Sequence, residues 1–188
     1  YGGKAALDRI HDLLYKVVLR GVKPPMPIHF IPLKPGVFFD VKDFSITAFP
    51  VRHRGPDCYG FIFQEKERRP FLPDRAEELQ IPPGPWRRDL VAGQSVTLPD
   101  GRIIEPDMVL GDTKPGTRMV ITGDIGELGN LEEICSGADM LVSEATYLDE
   151  DGEMARQFGH MTSKKVAQLA HRAGVRQLIL THLSRRYR

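Results

Sequence analysis

The sequence predicts an α/β fold, on three observations. Short apolar runs of strand length recur along the chain, a few longer stretches carry helical spacing, and Gly/Pro-rich turn signals separate them. Lys4 to Arg20 has apolar residues at Ala6, Leu7, Ile10, Leu13, Leu14, Val17 and Val18, the spacing of a helix with one buried face. Gly21, Pro24, Pro25 and Pro27 end it. Ile28 to Ile31 reads as a short strand. Val37 to Phe39 and Phe44 to Phe49 read as strands joined by a turn at Asp40 to Asp43, and Cys58 to Phe63 as another. Ser95 to Leu98 and Arg102 to Ile104 flank Pro99-Asp100-Gly101, a hairpin signal. Met119 to Thr122, the apolar run within Ala138 to Thr146, and Gln177 to Thr181 have the character of buried strands. Leu128 to Ile134 and Lys164 to Ala173 are predicted helices; Thr162 or Ser163 can cap the second and Gly174 can end it.

Composition narrows the class. At 188 residues the chain is one domain's worth of sequence, and 41% hydrophobic content fits a packed core. The net charge of +1 gives no global basic field, so any binding of polyanions has to be local. Cys58 and Cys135 are too few for a disulfide framework and form no CxxC, which points to a reducing compartment, the cytoplasm. No apolar run approaches the roughly 18 residues of a membrane span, and no signal peptide is visible, so no membrane partner is expected. The missing initiator Met and the immediate helical start after Tyr1-Gly2-Gly3 are read as marks of a fragment, as is the abrupt end at Arg185-Arg186-Tyr187-Arg188.

The stretch from Arg68 to Gln94 changes character. Its prolines, glycines and charges rule out a central strand or a long helix. One reading is a surface excursion with two short helical turns. The other is a contact arm, stiffened by Pro82-Pro83-Gly84-Pro85, with Trp86 as a stacking face and Arg87 and Arg88 as phosphate contacts.

Polar groups gather at the ends of the apolar runs. Asp124, Glu144 and His182 each follow one, His160 precedes a helical pattern, and His53 sits on a loop between two strands. In layered α/β folds rigid strands fix catalytic groups at such positions. His53, Asp124 and His182 form a zinc-type donor set of imidazole and carboxylate. Only the carboxylate can bridge two metals, and two metals roughly 3.5–4 Å apart can stabilise both oxygens of a phosphoryl displacement. Three ligands do not fill two tetrahedral sites, so further ligands are implied. Leu110-Gly111-Asp112-Thr113 imitates a strand-end carboxylate but runs at once into Lys114-Pro115-Gly116, and is set aside.

These motifs resemble ribonuclease Z, the tRNA 3′-processing endonucleases of the metallo-β-lactamase superfamily. The resemblance rests on Gly-Asp124, Ser-Glu144-Ala-Thr146, Gly-His160-Met-Thr162 and Leu-Thr-His182-Leu-Ser-Arg185-Arg-Tyr187. Val-Arg-His53 before Tyr59-Gly60-Phe61, and Ile81-Pro-Pro-Gly-Pro85, also carry it. It covers nearly the whole chain in order. It implies an αββα four-layer sandwich, here incomplete for want of an N-terminal part, with residues 1–188 as one metallo-β-lactamase-like domain and residues 68–94 as an inserted tRNA-binding arm.

The implied activity is zinc-dependent removal of the 3′ trailer from precursor tRNA, by hydroxide attack on a phosphodiester. Two Zn2+ would fill the complete site, with Mn2+ as a substitute. By the resemblance His53 binds one metal, Asp124 bridges both and His182 binds the other. His160 donates a proton to the leaving oxygen and Glu144 orients it. Gly84 and Pro85 stand at the arm's contact motif, with Arg87 and Arg88 as the candidate RNA-binding cations read from the residues themselves, and a homodimer is implied. The family's HxHxDH motif does not occur in these residues, and Ile125 follows Gly-Asp124 where the family usually has Thr. The fragment alone is therefore expected to be inactive. Two other functions compete: a metallo-hydrolase of small phosphodiesters or other esters, which has no need of the arm, and a non-catalytic RNA-binding half.

Overall fold

The computed structural model describes residues 1–187; Arg188, the last residue of the basic tail, lies outside them. In chain order the elements are helix α1 (Lys4–Asp12), continued as a π-helix at Leu13–Val18, and strands β1 (Gly36–Asp40), β2 (Phe44–Pro50) and β3 (Tyr59–Glu65). Helices α2 (Pro73–Glu78) and α3 (Pro85–Val91) follow, then strands β4 (Val96–Thr97) and β5 (Ile103–Ile104). The rest is β6 (Arg118–Ile121), α4 (Leu131–Cys135), β7 (Met140–Glu144), α5 (Gly152–Phe158), α6 (Ser163–Arg172) and β8 (Gln177–Thr181).

The chain divides into two compact units: residues 1–65 with 117 onward, and residues 66–116. The first is built on a six-stranded sheet in the order β1-β2-β3-β6-β7-β8. β1, β2, β3 and β6 pair antiparallel, whereas β6, β7 and β8 run parallel. The parallel half needs crossovers between strands, and α4 and then α5–α6 supply them. One face of this half carries Val120, Leu141, Leu178 and Leu180, which pack with Leu131, Cys135, Val166 and Leu169 of α4 and α6. Val120, Leu141, Val166 and Leu169 are completely buried. Truncating Leu131, Leu141 or Leu169 to alanine is expected to cost about 2–5 kcal/mol. One large sheet with helices on one face accounts for two of the four expected layers.

α6 is as the sequence predicts. The Thr162 hydroxyl accepts a hydrogen bond from Lys165 N, and the chain turns out at Gly174. Other expectations are corrected. The helix from Lys4 passes into a π-helix, and of its apolar stripe only Leu7 is buried; Ile10, Leu13, Val17 and Val18 are exposed. The periodicity specified a helix but not what covers its face. Ile28 to Ile31 forms no strand, because the prolines around it leave few amides to build a ladder; the neighbouring chain makes only an isolated bridge between Gly2 and Pro32. α5 has no forerunner in the sequence reading, since one seven-residue helix carries too little periodicity to register.

The second unit has its own small core of Ala76, Ile81, Leu90, Val96, Leu98, Ile104 and Val109. It extends beyond the expected arm of residues 68–94, because the β4–β5 hairpin closes the same core. Arg69 reinforces it, donating from Nε to Gly111 O at 2.9 Å and from Nη2 to Leu110 O at 3.1 Å.

Candidate active site

Three parallel strands deliver three of the site residues to one edge of the sheet. Glu144 is the last residue of β7 and pairs with Thr181 of β8, so His182 emerges beside it. Asp124 follows β6 by a short turn. His182 holds a left-handed backbone, φ 56°, a conformation that costs a non-glycine residue about 1 kcal/mol and collects at functional sites. His160 arrives from the turn between α5 and α6. Gly159, at φ 69°, ends α5 in the left-handed conformation that glycine adopts without penalty. The loop between β2 and β3 supplies His53. It is tied to the end of α5 twice: His53 Nδ1 lies 2.9 Å from Gly159 O, and Arg54 Nε donates to Phe158 O at 2.9 Å. Gly126 N donates to Arg52 O at 2.7 Å, bringing in the loop that carries Asp124. A Cβ on Gly126 would stand 3.2 Å from Gly159 O, so these loops meet closely and a side chain there would require the Gly159 backbone to give by a few tenths of an ångström.

Glu144 is the hub. Its side chain is 1% exposed and accepts from Ile125 N at 2.9 Å, Met161 N at 3.2 Å and the Thr146 hydroxyl at 2.6 Å. It also lies 2.7 Å from His160 Nδ1. Burial pushes its pKa up, but the bonds from Thr146, His160 and the two amides outweigh it and hold the carboxyl below its ordinary value. Glu144 is therefore an ionised acceptor, so His160 Nδ1 donates to it.

The same reasoning fixes the other two rings. A carbonyl can only accept, so Nδ1 of His53 donates to Gly159 O. Thr146 lies 2.7 Å from His182 Nδ1, and its single hydroxyl proton is already given to Glu144, so His182 Nδ1 donates to Thr146. In all three imidazoles Nδ1 is thus committed to protein, leaving Nε2 with a lone pair, the pattern by which neighbouring groups prepare histidines to bind metal.

His182 Nε2 is 3.8 Å from Asp124 Oδ2. Asp124, His160 and His182 offer ligand atoms that all lie within 4.8 Å of one another. The His53 ring stands 5.1 Å from that of His160, and the His182 ring 5.0 Å from it, so His160 is the middle of a row of three imidazoles. The structure therefore brings His53, Asp124, Glu144, His160 and His182 together, and puts His160, expected only as an acid, among the donor groups. The set is three imidazoles and a carboxylate with free electron pairs, a chemistry that fits zinc or another divalent ion. Asp124 and His182 are 42% and 48% exposed, so the cluster is open to solvent.

In the second unit Gly84 (φ 126°) and Pro85 open α3 and are exposed, and Arg88 is exposed beside Asp89. Arg87 instead turns inward. Its Nε and Nη2 both donate to Ile81 O, at 3.1 and 2.7 Å, and its guanidinium lies over the Phe71 ring. Trp86 is half-buried against the core of that unit rather than offered as a free stacking face.

No family model matches the chain. It is 42% identical over 187 residues to the ribonuclease Z of Bradyrhizobium diazoefficiens, covering 100% of this chain and 62% of that protein. It is 37% identical over 169 residues to the ribonuclease Z of Haloferax volcanii, covering 89% of this chain and 53% of that one. The chain belongs to the ribonuclease Z family. It spans about half to three-fifths of the length of these ribonuclease Z relatives. The metallo-beta-lactamase fold protein YhfI from Bacillus subtilis superposes with a TM-score of 0.55 at 21% identity, over 98% of this chain and 52% of that one. The incomplete metallo-β-lactamase fold agrees with the αββα expectation. The sequence did not disclose Thr146 as the link between Glu144 and His182. Its position in the Ser-Glu-Ala-Thr run was the available signal.

Proposed function

We propose that the protein to which this chain belongs is a metal-dependent endoribonuclease that removes the 3′ trailer from precursor tRNA. Membership of the ribonuclease Z family supports this, and one observation carries it: Asp124, His160 and His182 offer ligand atoms within 4.8 Å of one another, the His53 ring lies 5.1 Å from that of His160, and each imidazole has Nδ1 tied down and Nε2 free. His53, Asp124 and His182 would hold the metal, two Zn2+ in the complete site with Mn2+ as a substitute. A divalent ion there supplies Lewis-acid polarisation of the phosphoryl oxygens. His160, held at Nδ1 by the Glu144 carboxylate, takes up a proton on its free Nε2 and donates it to the leaving 3′ oxygen. Asp124 and the histidines position the phosphate in line for attack by hydroxide.

Residues 68–94 form the tRNA-binding arm in this reading. Gly84, Pro85 and Arg88 provide the contact face, and Arg87 holds the Pro82–Pro85 loop in shape through Ile81. The enzyme works as a homodimer in the cytoplasm, where tRNA is found and Cys58 and Cys135 stay reduced; among the described residues no helix is long and apolar enough to cross a membrane.

The test is cleavage of labelled precursor tRNA by the full-length protein with zinc or manganese. Release of a tRNA ending in a 3′-hydroxyl, lost on chelation, is expected. Deleting residues 68–94 should abolish that reaction while sparing hydrolysis of bis(4-nitrophenyl) phosphate. A full-length protein that hydrolyses the small diester and leaves precursor tRNA intact would overturn the reading.

A further inference from the structure

The segments that lead into His53 and away from Asp124 enclose a groove of about 410 Å³ that the reaction as described does not use. One wall is Pro50, Val51 and Arg52, the residues leading directly into His53. The other is Glu127 to Leu131, on the loop that begins at Asp124. The walls are pinned together by the Gly126 N to Arg52 O bond and by the ion pair between Arg52 Nη1 and Glu127 Oε2 at 3.0 Å. Both walls are thus continuous in the chain with the loops that carry His53 and Asp124.

Its lining is mixed. Val51, Leu128 and Leu131 belong to the edge of the hydrophobic core, and with Pro50 they make an apolar floor. The rim carries a guanidinium, a carboxylate and the amide of Asn130. That amide precedes α4 but makes no capping bond to it, so its donor and acceptor are unspent on the helix. Arg52 and Glu127 neutralise one another, which suits a phosphate poorly. An apolar floor with a donor fork, an acceptor and an amide at its edge matches a nucleobase, which has two apolar faces and a polar perimeter. The volume falls within the usual range of small-ligand sites.

We infer that the groove is a nucleobase subsite, seating the base of one nucleotide beside the scissile phosphate, with Asn130 and the Arg52–Glu127 pair reading its edge. This rests on the endoribonuclease reading above and adds where the RNA strand runs: past β2's end and the start of α4.

The experiment compares the full-length protein with its Asn130→Ala and Leu128→Trp variants on three substrates: precursor tRNA, the same RNA carrying single abasic positions near the cleavage point, and bis(4-nitrophenyl) phosphate. Asn130→Ala removes the reading group without touching the core, and Leu128→Trp fills the groove. Each variant is expected to raise KM for precursor tRNA about tenfold, the loss of one good base contact. Hydrolysis of the small diester should not change. One abasic position should weaken the unaltered protein by a similar factor and weaken Asn130→Ala no further. If the unaltered protein cleaves precursor tRNA and both variants match it, the groove is not a base subsite although the endoribonuclease reading stands. Equal losses on RNA and the small diester would show a purely structural role and also overturn the subsite. Cleavage of the diester without any cleavage of RNA would sink the endoribonuclease reading and the subsite with it.

Discussion

Thr146 and His182 are joined by a 2.7 Å hydrogen bond whose direction is set by a third residue. Because the Thr146 hydroxyl gives its proton to Glu144, it can only accept from His182 Nδ1. One buried carboxylate thereby orients two imidazoles, His160 directly and His182 through a threonine. Thr146→Val keeps the shape and removes the hydroxyl. Metal affinity, measured by titration against a chelating dye, should fall about 10- to 100-fold, and Thr146→Ser should restore most of it. A valine variant that binds as tightly as the unaltered protein would show that the link has no part in holding His182.

Glu144 also links stability to pH. Its folded carboxyl titrates below the ordinary value of 4.5, so it stabilises the fold at pH above that value. That contribution is lost as pH falls through the lower, folded pKa. Urea unfolding between pH 7 and pH 3 should show the loss, and Glu144→Gln should flatten the acid limb of the curve. Glu144→Ala should cost about 3 kcal/mol at pH 7, because it strands the buried Ile125 and Met161 amides without an acceptor. A Gln variant with an unchanged acid limb would contradict this assignment.

The two cysteines should react at different rates. Cys135 is completely buried in the main core and burial pushes its thiol pKa up to about 11, whereas Cys58 is partly exposed on the loop after His53. At pH 8 a thiol-exchange reagent should modify Cys58 in the folded protein and reach Cys135 only after denaturation. Two thiols reacting at the same rate under native conditions would mean that the core opens readily.

Gly126→Ala should separate the loops that carry Asp124 and His160. The added methyl would stand 3.2–3.3 Å from the Gly159 backbone, which has little room to yield because Gly159 O also holds His53. A loss of about 1–3 kcal/mol in stability is expected, with weaker metal binding alongside it. Calorimetry and the same metal titration test both effects; an alanine variant equal to the unaltered protein in each would show that the loops are not so tightly packed.

The site was legible in sequence where strands end in chemistry. Gly-Asp124, Ser-Glu144 and Thr-His182 follow apolar runs that do become β6, β7 and β8, and a parallel sheet brings such ends to one edge by its topology. His53 and His160 were found by motif, but their junction through Gly159 was not readable, since it rests on a backbone carbonyl that any residue possesses. The π-helix after α1 and the absence of a strand at Ile28 were likewise out of reach. Both depend on which partners the surrounding chain offers, and local pattern does not carry that information. Arg87 shows the same limit in the second unit: beside Arg88 in sequence it looks like a second exposed cation, yet the Ile81 carbonyl draws it inward.

The bond from His53 to Gly159 joins residues 106 apart, and the centre is completed only when β8 is laid against β7. A chain still being made therefore carries these side chains scattered until β8 has emerged and paired with β7. This long-range construction ties the gathering of the cluster to the folding of the whole sheet, so local folding alone cannot assemble it.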